Sequence, residues 1–467
     1  MNENPTIAQF DGSKASASEN PVMEVTLNSS KTQGRIRNIL GMNNSPRIVS
    51  AASMAAETEY FRALAPARVR YHDAAIENPG YSLIDVTRIF PLFSADEKNP
   101  ANYDFKPTDL YLRQAVECGT PIEFRLGETI EHAPEKFRVC PPADLDKWAD
   151  ICVNIIRHYN ACWADGFHWD IQYWSIWEEP GNVPCLFNGD YSIYLKLFVT
   201  TFKKIKAAFP HLKVGGTNDA LPFSFPKKRI ERSLKYFQDE GIRLDFLCYT
   251  GYARMPDEYI DYVNKLQAIM EQYGYGPETE LNMSECHYAP SEWTTQGYNA
   301  PEMHDHTSAA FAATTLIRLL DTRLSYAYHY AWHTSCWGLF DAYQRPYPLY
   351  YALKYFTEMS KCANRLSLDV NGDVPNDVRM LAGTLDNGDA KLLISCFKSP
   401  KLRFVLKAPE YASCQIKCLT SDNDDYETPH SLPLAEEGFV LDFNVGDSAV
   451  FQLDFTRNEN NQQGAKS

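Results

Sequence analysis

The chain lacks the features that would place it in a membrane or on nucleic acid. No run of about 18 apolar residues occurs among its 467 residues, so no membrane-spanning helix is expected. Basic residues are scarce: 45 Lys and Arg stand against 60 Asp and Glu, which gives a formal net charge of −15 at pH 7. Such a surface repels a polyanion, so neither nucleic acid nor a membrane is expected as a partner.

The patterns of a secreted protein are also missing. The 12 cysteines are scattered without a C-x-x-C pair, so they predict neither a disulfide framework nor a metal site. The opening stretch MNENPTIAQFDGSKASASENP has neither a basic nor an apolar segment and does not resemble a signal peptide. We therefore expect a cytoplasmic protein, or a secreted one whose signal has been removed.

What the sequence does have is a regular alternation of short apolar runs and longer amphipathic stretches. Eight runs are expected to be strands: 35–43, 67–72, 121–126, 171–177, 212–217, 244–250, 280–285 and 325–332. The stretches between them repeat apolar residues with a helical period, as in DLDKWADICVNIIRHYNACW. Eight such units predict an α/β fold, the (β/α)8 TIM barrel. An open doubly wound sheet would need a glycine-rich phosphate loop after its first strand, and LGMNNSPR is not one.

Near residue 362 the sequence pattern changes, and strand-like runs follow one another without long helical periods. VRMLAGTLDNGDAKLLISCFKS contains a hairpin signal, and further strand-like runs follow it. We predict a disordered tail (1–21), strands that join a β-sandwich (22–34), the (β/α)8 barrel (35–361), an accessory β-sandwich (362–456) and a flexible tail (457–467).

Acidic residues stand at the ends of two predicted barrel strands. Glu178 and Glu179 end the fourth strand, and Glu285 ends the seventh. Catalytic groups of a TIM barrel lie at the carboxyl ends of its strands, and these two ends face each other across the barrel mouth. Two carboxylates can cleave a glycosidic bond, since one protonates the leaving oxygen and the other attacks or stabilises the anomeric carbon. The alternative for each single glutamate is an ordinary solvated strand end.

Several motifs resemble one family of glycosidases. IWEEP is similar to a W-N-E-P signature, and LNMSECHY is similar to a strand-seven nucleophile motif. ILGMNNSP, RVRYHD, YDFKPTD, FPHLKVGGT, LDFLCYTGY and GLFDAYQRPYPLYYALKYF follow in family order. Together they resemble glycoside hydrolase family 39, the retaining β-xylosidase and α-L-iduronidase family of barrel glycosidase clan A. The resemblance implies that Glu179 is the acid/base and Glu285 the nucleophile of a double displacement, without a cofactor.

Two positions depart from the family pattern. Glu178 stands where the family usually has an Asn that binds the sugar 2-hydroxyl, and its charge disfavours an anionic sugar. The usual His-x-Tyr of the sixth strand is Thr250-Gly251-Tyr252, so only Tyr252 is kept.

Other side chains at predicted strand ends are candidates for sugar binding, with ordinary packing as the alternative for each. The predicted substrate-binding residues are Asn43, His72, Glu178, Tyr252, His287, Tyr288, Trp332 and Trp337. No metal site is expected, because His329 and His333 share a strand face but lie far apart along it.

The sequence thus predicts a retaining, exo-acting O-glycosyl hydrolase for a small neutral glycoside, most similar to a β-xylosidase. An arabinosidase or another exo-glycosidase of the family is the first alternative. A catalytically silent carbohydrate-binding protein on the same scaffold is the second. The expected partner is a glycoside or oligosaccharide, and the oligomeric state is left open, a homo-oligomer included.

Overall fold

The computed structural model describes residues 21–46, 51–72, 82–220, 225–291, 300–372, 374–443 and 447–458. Two compact units are present: one spans Arg37–Thr357, and the other combines the described parts of Met1–Ile36 and Glu358–Ser467. Most of the two predicted tails, residues 1–20 and 459–467, lies outside the described residues.

In chain order the described elements are β1 (Val22–Thr32), β2 (Leu40–Asn43), α1 (Ala51–Leu64), β3 (Arg68–Tyr71), α2 (Val86–Ile89), a 3-10 helix (Pro100–Asn102), α3 (Lys106–Glu117), β4 (Ile122–Leu126), α4 (Leu145–Asn160), β5 (Tyr173–Ile176), α5 (Tyr191–Ala208), β6 (Lys213–Ala220), α6 (Lys227–Asp239), β7 (Phe246–Ala253), α7 (Pro256–Gln272), β8 (Glu280–Tyr288), α8 (Ala300–His304), α9 (His306–Leu319), β9 (Leu324–His329), α10 (Pro348–Met359), β10 (Asn364–Asn371), β11 (Val378–Thr384), β12 (Ala390–Cys396), β13 (Leu402–Lys407), β14 (Tyr411–Leu419), β15 (His430–Leu432), β16 (Leu434–Ala435), β17 (Gly438–Phe443) and β18 (Ala449–Arg457).

The larger unit is built on a closed barrel of eight parallel strands, β2 to β9 in sequential order. The barrel closes because β2 pairs in parallel with both β3 and β9. Each of the eight predicted strands overlaps one of these strands, so the predicted TIM barrel is confirmed. Strands β6, β7 and β8 continue three residues beyond their predicted ends, which places Tyr252, His287 and Tyr288 within strands rather than in loops.

The helices between the barrel strands begin where the sequence provides caps. Asp144 accepts a hydrogen bond from the Lys147 amide and caps α4, and Asp190 caps α5 through the Ser192 amide. Pro256 occupies the first turn of α7, where its missing N–H costs no hydrogen bond. None of the helices in the described ranges is both long and apolar enough to cross a membrane.

The smaller unit is a ten-stranded sheet that folds back over one hydrophobic core. Its order is β15-β14-β18-β12-β11-β10-β1-β13-β17-β16. Although β17 and β18 are distant in this order, their rings meet: Phe439 lies 5.7 Å from Phe455, and Phe443 lies 5.8 Å from Phe451. The two halves therefore form the layers of a sandwich. Within it, β1 pairs with β10 and β13.

Candidate active site

The two adjacent glutamates follow β5 in an irregular backbone. Trp177 has a φ of 66° and Glu179 a φ of 33°, both in the left-handed region that L side chains rarely adopt. A regular strand would turn consecutive side chains to opposite faces. The two left-handed residues break that alternation, and the negative charge of Glu285 acts to raise the pKa of both Glu178 and Glu179. Conformations of this kind are typical of functional sites.

A second irregularity presents Glu285. The pairing of β7 with β8 shifts register, so that Tyr249 faces Met283 while Thr250 faces Glu285. Ser284 is the extra residue of this bulge. Its carbonyl accepts hydrogen bonds from Asn43 Nδ2 at 2.9 Å and Arg70 Nη1 at 3.5 Å. These bonds hold the bulge and thereby fix the position of the Glu285 side chain.

Glu285 is buried and held by three side chains. Tyr252 donates its hydroxyl to Glu285 Oε2 at 2.5 Å, and His72 Nε2 lies 2.8 Å from Oε1. The Arg70 guanidinium is 3.8 Å from the same Oε1. Burial raises the pKa of Glu285, while Arg70 and the Tyr252 hydrogen bond act to lower it. These partners favour the carboxylate form and orient it, as a nucleophile requires.

Glu178 lies beside Glu285 and is paired with Arg70. The Arg70 Nη2 bonds Glu178 Oε2, and the Arg70 Nε lies 3.4 Å from Glu123 Oε1. Burial raises the pKa of Glu178, and the charge of Arg70 opposes that shift.

Glu179 differs from both other glutamates because no cation contacts it among the described residues. Its Oε2 accepts a hydrogen bond from Asn182 Nδ2 at 3.1 Å. Burial, and then the negative charges of Glu285 and Glu178, raise the pKa of Glu179 well above its usual range. When one proton is shared between coupled carboxylates, Glu179 is therefore the group that holds it.

Arg70 is the functional residue that sequence reasoning missed. It is fully buried and links Glu178, Glu285 and the Ser284 carbonyl. The signal was present in RVRYHD, because residues two apart on a strand share a face and Arg70 therefore shares one with His72. A charged residue inside a barrel strand needs a buried partner, and that requirement could have identified it.

The remaining predicted sugar-binding residues fall into two groups according to their contacts. Asn43 is fully buried, and its amide donates hydrogen bonds to the carbonyls of Ser284 and Tyr328. Asn43 therefore links β2 to β8 and β9. Trp332 is buried and packs against Phe61 and Phe340. These contacts agree with ordinary packing for both side chains, and sugar binding by either one stays a prediction.

Three other candidates, Trp337, His287 and Tyr288, contact neighbouring side chains of the barrel. Trp337 lies 5.0 Å from the Tyr252 ring and 5.3 Å from the His287 ring. The His287 ring is buried, with Nδ1 bonded to the Tyr288 carbonyl, and burial lowers its pKa to about 3. Tyr288 donates its hydroxyl to Glu302. Trp337 therefore supports Tyr252, and sugar contacts by all three stay predictions.

His72, Glu178 and Glu285 offer ligand atoms that lie within 4.8 Å of one another. A metal ion there would meet the Arg70 guanidinium, which contacts both carboxylates. In the hydrogen bond to Glu285, His72 Nε2 also carries a proton and has no lone pair to give. The donor set therefore suits hydrogen bonding and ion pairing better than metal binding.

Comparisons with known proteins identify similar sequences among glycoside hydrolases. The sequence model described as Glycosyl hydrolases family 39 matches residues 93–334. The beta-xylosidase of Geobacillus stearothermophilus is 32% identical over 127 residues, which are 27% of this chain and 21% of that protein. The match thus spans about a fifth of the curated relative's length.

Solved structures share the fold. The glucosidase from Croceicoccus marinus superposes with a TM-score of 0.77 at 19% identity and covers 95% of this chain and 100% of its own. A monomeric beta-xylosidase from Caulobacter crescentus CB15 has a TM-score of 0.67 at 15% identity, with 94% and 99% covered. At such identities the similarity establishes the architecture alone.

A closed (β/α)8 barrel with carboxylates at the ends of two strands across its mouth defines a class, the barrel glycoside hydrolases. The family match covers just over half of the chain. The chain belongs to glycosyl hydrolases family 39. The predicted family and its class of O-glycosyl hydrolases are confirmed.

Tyr252→Phe tests how Glu285 is held. Removal of the hydroxyl takes away a hydrogen bond that lowers the pKa of Glu285, so that pKa rises. We expect the acid limb of the kcat/KM profile to move to higher pH and kcat/KM at neutral pH to fall about ten-fold. Tyr249→Phe is the matched control, since the buried Tyr249 hydroxyl has no hydrogen-bond partner among the described residues. An unmoved acid limb in Tyr252→Phe, or an equal movement in the control, contradicts this account.

Proposed function

We propose that this protein is a retaining, exo-acting glycoside hydrolase that cleaves a small neutral glycoside such as a β-xyloside. One observation carries the proposal. Two facing strands supply two carboxyl groups with different surroundings: burial and nearby negative charge raise the pKa of Glu179 well above its usual range, while Arg70 and the Tyr252 hydrogen bond oppose the rise that burial causes at Glu285. A carboxyl group that keeps its proton beside one that is stabilised as a carboxylate supplies an acid and a nucleophile.

The reaction follows as a double displacement. A Glu285 oxygen attacks the anomeric carbon, the glycosidic C–O bond breaks, and Glu179 gives its proton to the leaving oxygen. Glu179, now a carboxylate, then takes a proton from water as the water oxygen attacks the same carbon. The sugar leaves Glu285 as a hemiacetal with its original anomeric configuration, and Glu179 is protonated again.

The substrate assignment depends on the charge of the site and on the similar proteins. The relative from Geobacillus stearothermophilus is described as a beta-xylosidase, and a structural neighbour is described as a glucosidase. The buried negative charge of Glu178 and Glu285 disfavours an anionic sugar. An arabinosidase or another exo-glycosidase on the same site stays the first alternative, and the cytoplasmic location stays a prediction.

A panel of nitrophenyl glycosides tests the proposal, with the first-formed anomer followed by proton NMR. We expect release of nitrophenol from the β-xyloside, and a first product with the β configuration. A first product with the α configuration contradicts retention. If no glycoside is cleaved while an oligosaccharide binds measurably, the chain is a carbohydrate-binding protein and the proposed activity is wrong.

A further inference from the structure

One oxygen of the Glu178 carboxylate is buried without a partner. Glu178 is 3% exposed, and its Oε2 bonds Arg70. Its other oxygen, Oε1, has no hydrogen-bond partner among the described residues. A buried carboxylate oxygen without a donor is costly, so an arrangement of this kind indicates a partner that arrives with a ligand.

The position of this carboxylate limits which part of a ligand it meets. Ligand atoms of Glu178, Glu285 and His72 lie within 4.8 Å of one another. In the proposed function, the anomeric carbon is bonded to Glu285 during the reaction. A carboxylate this close to Glu285 is within reach of the substituent on the ring carbon next to the anomeric carbon.

The local charge favours a cation as that substituent. The Arg70 guanidinium contacts Glu178 and lies 3.4 Å from Glu123 and 3.8 Å from Glu285. Arg125 is engaged by Asp85 at 3.0 Å, and Arg68 contacts the Tyr328 hydroxyl at 3.3 Å. Among the described residues, Arg70 is thus the one arginine or lysine that contacts Glu178 and Glu285, and His72 Nε2 lies 2.8 Å from Glu285.

We propose that this site also hydrolyses 2-amino-2-deoxy glycosides, whose protonated amino group is bound by the free oxygen of Glu178. The proposal rests on the proposed glycosidase function and extends its substrates from neutral sugars to cationic ones. An ammonium N–H supplies the donor that Glu178 Oε1 lacks, and its positive charge adds to that of Arg70 beside two buried carboxyl groups. A 2-hydroxyl supplies the donor but not the charge.

The test compares a matched pair of substrates: 4-nitrophenyl β-D-xylopyranoside and its 2-amino-2-deoxy analogue, at a pH below the pKa of the sugar amine. An ammonium group next to the anomeric carbon disfavours the cation-like transition state in any enzyme. The informative quantity is therefore the ratio of the two kcat/KM values in wild type, in Glu178→Gln and in a control. Glu278→Gln is the control, because it removes one negative charge at an exposed ion pair with Arg243.

We expect wild type to cleave both substrates, and the amino-to-hydroxy ratio to fall about ten-fold or more in Glu178→Gln. Glu278→Gln should keep the wild-type ratio. An unchanged ratio in Glu178→Gln, or wild type that cleaves only the xyloside, overturns the inference and leaves the proposed function intact. Cleavage of neither substrate by wild type, nor of any other glycoside in the panel, overturns the proposed function itself.

A measurement on the unchanged protein covers the case in which Glu178→Gln does not fold. Competitive inhibition of xyloside hydrolysis is compared for 2-amino-2-deoxy-D-xylose and D-xylose. We expect the inhibition constant of the amino sugar to be about ten-fold lower, with the difference lost above the pKa of its amine. Equal inhibition constants below that pKa contradict the inference.

Discussion

Glu285→Gln is expected to lower kcat/KM on an aryl β-xyloside by about 10⁴-fold or more, because it removes the group that forms the covalent intermediate. The amide keeps the size of the side chain and can still accept the hydrogen bond that Tyr252 donates at 2.5 Å. The loss is therefore one of chemistry rather than of packing. Glu285→Ala should be equally inactive, and steady-state kinetics with protein of unchanged melting temperature measures both.

Azide, a small anion, provides a second test of the nucleophile with Glu285→Ala. Glu285→Ala leaves space on the face that the carboxylate occupied, so added azide should attack there and restore part of the activity. Glu280→Gln is the matched control on the same strand, since Glu280 pairs with Lys213 and Tyr173 at the opposite end of β8. A loss of less than about 100-fold in Glu285→Gln, or an equal loss in Glu280→Gln, contradicts the nucleophile assignment.

Glu179→Ala is expected to separate substrates by their leaving groups. An alkyl or sugar leaving group needs a proton, and its hydrolysis should fall by about 10²- to 10⁴-fold. A dinitrophenolate leaves without protonation, so its release should be reduced much less. The measurement is kcat/KM for a series of β-xylosides plotted against the pKa of the leaving alcohol or phenol, and its slope should become steeper in the variant.

The pH profile of the same variant adds an independent check. Wild type should lose activity on the alkaline side as Glu179 loses its proton, because the pKa of Glu179 is raised and the protonated form is the active one. In Glu179→Ala this alkaline limb should disappear. Glu178→Ala serves as the neighbouring comparison, and an equal loss on all leaving groups in Glu179→Ala would show that Glu179 is not the acid.

The barrel was predictable because its signal is repeated eight times. Each short apolar run overlaps one barrel strand. The glutamates were predictable as a set, because the TIM-barrel rule places chemistry at the carboxyl ends of strands. Both kinds of inference depend on local sequence pattern, which the fold preserves.

The parts that could not be predicted depend on backbone irregularities. The left-handed conformations of Trp177 and Glu179 and the bulge at Ser284 decide where the glutamates point. No residue type required them, since neither Trp nor Glu favours a positive φ. The packing of Trp332 was not predictable either: its position near the end of the last barrel strand did not indicate that its ring lies 5.0 Å from Phe61.

The contacts of Glu178 in the structure change the interpretation that its sequence position suggests. By sequence it is an extra negative charge in place of an amide. In the structure Arg70 binds one of its oxygens, while the other is buried without a partner. The residue is thus placed to select a substituent on the sugar, which separates its predicted role from those of Glu179 and Glu285.

The most direct test of the central claim is to trap the covalent intermediate and locate it by mass spectrometry of the digested protein. A 2-deoxy-2-fluoro-β-xyloside with a dinitrophenyl leaving group forms the intermediate quickly and releases it slowly, because fluorine destabilises the cation-like transition state and the good leaving group drives the first step. The account predicts one added fluorosugar on the peptide that contains Glu285. A label on Glu178 or Glu179, or turnover of ordinary xylosides with no label on Glu285, would contradict it.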